Sequence, residues 1–188
     1  TGSYNTFVGY KAGHGGTTSA PYSSGANNTA LGFQALTSFT TGHTNIAIGY
    51  QAMQAATTTH DSIAIGYQAL QYGGQDNNIA IGYQAGQNIT SARYNVIIGD
   101  SAGNALTDAN TNENVIIGNA AGRYADAATN AAHYNVYIGS NAGTYMDDGD
   151  SNVYIGREAG KGSGTGNNAT INVLIGYQAG TSISTADA

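Results

Sequence analysis

A nine-residue phrase recurs ten times along the chain. It opens as Asn-Thr-Phe-Val-Gly-Tyr-Lys-Ala-Gly at 5–13 and closes as Asn-Val-Leu-Ile-Gly-Tyr-Gln-Ala-Gly at 172–180. No other feature limits the fold so strongly. Its central glycines, Gly9, Gly32, Gly49, Gly66, Gly82, Gly99, Gly118, Gly139, Gly156 and Gly176, follow one another at intervals of 16 to 23 residues. A fixed phrase joined by elastic spacers marks a solenoid whose coils stack while their loops vary. The phrase runs without a break, so residues 1–188 read as a single repetitive domain. The expected fold is all-β, a parallel β-solenoid (a β-roll or β-helix-like stack) of ten coils with variable loops.

With the Asn counted as position 0, position 1 is Thr, Ile or Val in every copy, and position 3 is Val8, Leu31 and then Ile. Residues two apart lie on one face of a strand. Positions 1 and 3 are therefore expected to form the interior. The invariant Gly at position 4 ends the strand, either because it needs positive φ or because another backbone presses on it. Position 7 is Ala in all ten copies, which implies a tight inner contact after the turn, on a second short strand or extended segment. Position 0 is Asn in nine copies and Ser62 in the other, a row that stacks as a side-chain ladder at the start of the strand.

Positions 2 and 5 trade sizes. Copies two to five pair Ala30, Ala47, Ala64 and Ala80 with Phe33, Tyr50, Tyr67 and Tyr83. Copies six to nine pair Ile97, Ile116, Tyr137 and Tyr154 with Asp100, Asn119, Ser140 and Arg157. The end copies are large at both places, Phe7 with Tyr10 and Leu174 with Tyr177. Read as one shared volume on the outside of the stack, this stripe predicts an interface between identical chains, since an outward row of aliphatic and aromatic residues needs a cover. A core this thin also predicts an oligomer, a trimer or a polymer.

Composition removes several function classes. The net charge of −6, with five scattered Lys and Arg, argues against nucleic acid as a partner. No apolar run approaches the ~20 residues that span a bilayer, so membrane insertion is not expected. There is no Cys, which excludes disulfides and thiolate metal sites. The chain begins at Thr1 without Met or a leader, as a mature fragment or excised segment does.

Asn-Ile-Ala-Ile-Gly at 45–49 and 78–82, with Ser-Ile-Ala-Ile-Gly at 62–66, resembles the head repeats of trimeric autotransporter adhesins. Asn-Thr-Ala-Leu-Gly-Phe-Gln-Ala-Leu at 28–36 is similar to repeats of phage tail-fibre and other surface filament proteins. The likeness covers about half of each coil along nearly the whole chain, and the adhesin coils are shorter and more regular. It implies a non-enzymatic structural and adhesive module of an extracellular fibre, at a cell or virion surface, as a homotrimer. Two alternatives are a self-polymerising filament subunit that stacks head to tail and a solenoid carbohydrate-active enzyme. Loop tyrosines Tyr22, Tyr72, Tyr124 and Tyr145 are candidates for recognising a cell-surface glycan or protein.

Chemistry is sparse. His43 and His60 should stack in consecutive coils, with Asp76 and Arg93 continuing the column, a placement that offers a metal or titrating site. Asp147, Asp148 and Asp150 form the acidic cluster that offers Ca²⁺ oxygen ligands, without the spacing of an EF-hand, so a solvated turn is the default. Gly160 to Gly166 lacks the spacing of a phosphate loop. No triad order or paired carboxylates recur, and no catalytic residue or cofactor is expected.

Overall fold

The structure, a computed structural model, describes residues 2–16, 23–73, 75–106, 111–124, 132–145, 149–162 and 170–181. Each copy of the phrase contributes one three-residue strand. In chain order these are β1 (Thr6–Val8), β2 (Thr29–Leu31), β3 (Ile46–Ile48), β4 (Ile63–Ile65), β5 (Ile79–Ile81), β6 (Val96–Ile98), β7 (Val115–Ile117), β8 (Val136–Ile138), β9 (Val153–Ile155) and β10 (Val173–Ile175). They form a single parallel sheet whose order is the order in the chain. The register does not slip: Val96 pairs with Val115, Ile97 with Ile116 and Ile98 with Ile117, and the other neighbours pair likewise. The expected parallel β-solenoid is the fold.

The strands are short because position 4 cannot continue them. These glycines have φ between 126° and 139°, a region closed to residues with a β-carbon. From Gly9 to Gly156, a β-carbon would also come within 2.6 Å of the carbonyl oxygen of the next coil's glycine. Both reasons anticipated for this glycine hold together. The chain then turns at once: the Ala N–H of position 7 donates back to the position 4 carbonyl, at 3.2 Å in Ala12 to Gly9 and 3.1 Å in Ala142 to Gly139. Position 7 is buried from Ala35 to Ala159, as its invariance implies. It sits in a turn, however, and not on a second strand.

The faces of the strand are the reverse of those expected. Position 2 points into the coil, where Ala30, Ala47, Ala64, Ala80, Ile97, Ile116, Tyr137 and Tyr154 are buried. Positions 1 and 3 point outward and stay partly exposed. The alternation was legible; its direction was not, because β-branched residues suit both faces of a narrow strand. Small Ala at position 2 is the better sign of the interior, since the turn with its position 7 Ala packs directly behind it.

The size trade at position 2 therefore has a different partner, position 8. Ala30, Ala47 and Ala64 share their coils with Leu36, Met53 and Leu70, all fully buried. Phe7, Ile97, Ile116, Tyr137, Tyr154 and Leu174 share theirs with glycine. A β-carbon on Gly143 would lie 2.8 Å from the Tyr137 ring, and one on Gly122 would lie 3.1 Å from Ile116. In the fifth coil Ala80 and Gly86 are both small, and Ile89 fills the space. The inner volume beside positions 2 and 8 is thus filled by a large apolar side chain from one wall or the other, and loop residues such as Phe39 and Leu106 add to it in coils two and six.

The position 0 ladder is continuous. Each Asn main-chain N–H donates to the Oδ1 of the Asn one coil earlier, at 2.8 Å from Asn28 to Asn5 and 3.1 Å from Asn95 to Asn78. Ser62 keeps the chain unbroken, donating from its N–H to Asn45 Oδ1 and accepting from the Asn78 N–H at Oγ. Buried amides in a row are tolerated because each is hydrogen-bonded above and below.

Candidate self-association face

With position 2 inside, the outward residues of each coil are two apart at positions 1 and 3, and the same alternation adds position 5 after the glycine and position −1 before the Asn. Coil five presents Asn77, Ile79, Ile81 and Tyr83; coil eight presents Tyr134, Val136, Ile138 and Ser140. Stacking at one rise per coil turns these into four rows along the solenoid. The central two are aliphatic from Ile46 to Ile175, with Thr6, Thr29, Val8 and Leu31 at the other end.

The row at position 5 begins as an aromatic ladder. Tyr10, Phe33, Tyr50, Tyr67 and Tyr83 follow one another with ring centroids 4.9 to 5.3 Å apart and planes within 17° of parallel. Tyr83 remains 49% exposed. Because the rings face one another along the stack, they present edges and hydroxyls outward, not their flat faces. Beside them a glutamine ladder fixes the turn: Gln51, Gln68 and Gln84 donate from Nε2 to the Oε1 of Gln34, Gln51 and Gln68, at 2.9 to 3.0 Å. The sequence reading did not find this ladder, although Gln recurs at position 6. It also missed the row at position −1, where Tyr94 and Tyr134 are more than half exposed. Positive φ at that position in every coil, 60° at Tyr94 and 58° at Tyr134, turns the chain out of the preceding loop.

The residues expected at an oligomer interface thus divide. Tyr10, Phe33, Tyr50, Tyr67, Tyr83 and Tyr177 lie on the outward face. Phe7, Ile97, Ile116, Tyr137, Tyr154 and Leu174 do not: they pack in or against the interior of the coil. Tyr137 and Tyr154 stack inside the coil with centroids 5.3 Å apart. Burial, reinforced by the neighbouring Tyr154 and Asp150, pushes the Tyr137 phenol well above its ordinary acidity range. Burial also raises Tyr154 to about 12, against a lowering by Asn172.

The histidine column is present, with ring centroids of His43 and His60 3.9 Å apart. Its ring and carboxylate atoms serve the backbone. The His43 N–H donates to His60 Nδ1 at 3.1 Å, and the His60 N–H donates to Asp76 Oδ1 at 2.7 Å. Arg93 continues it with its N–H, which donates to Asn112 Oδ1, and the His133 N–H donates to Asp150 Oδ1, each at 2.7 Å. Asp150 is thereby a loop fastener, while Asp147 and Asp148 lie outside the described residues. Among the described residues no three His, Asp or Glu side chains gather as a metal site. Tyr22 is likewise outside the described set; Tyr72 is exposed, and Tyr124 stacks on Tyr145 at 5.3 Å under the Arg123 guanidinium. The structure does not bring Tyr72 together with that pair in any ring contact.

Comparison with models of protein families, with curated proteins and with solved structures finds no match to this chain.

Proposed function

We propose that this chain is a non-enzymatic structural and adhesive module of an extracellular fibre, which associates with other copies of itself through its outward face. The observation that carries the reading is the pair of aliphatic rows, flanked by the aromatic ladder, running the length of the stack. A contiguous apolar face of this kind on a solenoid needs a cover. Extending ten rungs at about 4.8 Å and spanning positions −1 to 5, the face measures roughly 43 by 20 Å. That footprint of roughly 850 Å² is close to the ~800 Å² per partner of a standard stable interface. Exposed loop tyrosines Tyr72 and Tyr124, with the half-buried Tyr145 stacked on Tyr124, supply adhesive contacts to a surface glycan or protein in this reading. Light scattering of the purified chain, combined with electron micrographs, tests it: closed assemblies or bundles support it, and a monomer at all concentrations overturns it.

A further inference from the structure

We propose that copies of this chain meet with their stacks parallel and in register, each coil opposite the same coil, so that position 5 of one copy faces position −1 of its neighbour. The inference rests on the self-association reading and adds the alignment. It starts from a second trade of sizes, across the outward face within single coils. Tyr50 shares its coil with Thr44, and Ser140 shares its coil with Tyr134. Coils two to five carry the aromatic residue on the position 5 edge and coils six and eight carry it on the position −1 edge, while coils seven and nine have none on either edge.

The two edges of a coil are six residues apart, about 20 Å of extended chain. They do not fill a common space within one molecule. A neighbour brought edge to edge at the same level, by contrast, sets large against small at Tyr50 and Tyr134 alike. An aromatic row on a solenoid face has no intramolecular reason to change edges halfway along.

Charge selects between this alignment and its reverse. If the stacks ran antiparallel, coil four would lie opposite coil seven and set Asp61 against Glu113, both exposed carboxylates. In register, Asp61 meets the Tyr67 hydroxyl of the neighbour and Glu113 meets the Asn119 amide, two donors for two acceptors. Like charges placed opposite each other oppose association, whereas these pairs favour it.

The chain has no cysteine, so single-cysteine variants report the alignment without background. Glu113→Cys and Asn119→Cys copies are mixed and oxidised, and a Glu113→Cys with Asp61→Cys mixture is run beside them; mass is measured by light scattering before oxidation. The proposal expects assemblies larger than 19.1 kDa and a disulfide-linked Glu113→Cys/Asn119→Cys product several-fold above the other mixture. Assembly with the Glu113→Cys/Asp61→Cys product dominant, or with neither product, overturns the alignment and leaves self-association standing. A 19.1 kDa species throughout overturns both.

Discussion

The Tyr137 ring lies flat against the α-carbon of Gly143, leaving 2.8 Å for a β-carbon that would need well over 3 Å. Position 8 must be glycine wherever position 2 is large, and it is also held at positive φ, 59° in Gly143. Gly143→Ala is expected to lose about 2–4 kcal/mol, from overpacking and from a left-handed non-glycine residue. A lower denaturant midpoint at unchanged m value measures it. Gly143→Leu paired with Tyr137→Ala rebuilds the arrangement of Ala64 and Leu70, and should be more stable than Gly143→Leu alone.

Leu70 tests the same volume from the opposite wall. It is fully buried yet sits at φ 45°. Leu70→Gly opens a cavity and relieves the backbone, effects of about 2–5 and 1–2 kcal/mol in opposite directions, so a net loss is expected. Adding Ala64→Ile should recover part of it. A double-mutant cycle with no coupling between the two would show that they do not share space.

Asn95 occupies the middle of the buried ladder. Its N–H and Nδ2 meet Asn78 Oδ1, Nδ2 also reaches the Thr111 carbonyl, and its Oδ1 accepts from the Asn114 N–H and Nδ2. Asn95→Ala strands several buried partners and should cost about 2–5 kcal/mol. Asn95→Ser, which repeats the native Ser62 solution, should cost measurably less. Thermal melts of the two variants compare them directly.

Alkali should unfold the chain in a defined window. Both core tyrosines hold their protons more tightly folded than the ordinary value of 10, Tyr154 to about 12. Below pH 10 folded and unfolded states are equally protonated and stability is intact. From pH 10 to about 12 the unfolded chain releases these protons first, so stability falls as pH rises. Denaturant midpoints across that range should decline in the native chain and decline less in Tyr137→Phe/Tyr154→Phe.

The phrase was enough to read the parallel stack, the glycine at the strand end, the Asn ladder and the buried Ala. Those positions are constrained by the backbone itself, which leaves one residue type in every copy at positions 4 and 7 and only Ser62 as an exception at position 0. Which face turned inward was not readable from Ile and Val at positions 1 and 3, because the β-branched side chains that fill a core also make a flat outer sheet. The pairing of Tyr137 with Gly143 held the answer, six residues along the chain and across a turn. The ladders at Tyr94 and Gln51 were hidden for another reason: Tyr94 lies just before the phrase, and Gln at position 6 gives way to Ser101, Ala120, Asn141 and Glu158 in copies six to nine.

Self-association through positions −1, 1, 3 and 5 is the central claim, and the mass of a face variant tests it most directly. Ile81→Asp/Ile98→Asp places two carboxylates in the central aliphatic row without touching the interior. Light scattering of the native chain should give a multiple of 19.1 kDa, and the variant, with unchanged circular dichroism, should give 19.1 kDa. Equal masses for the folded variant and the native chain would contradict the account.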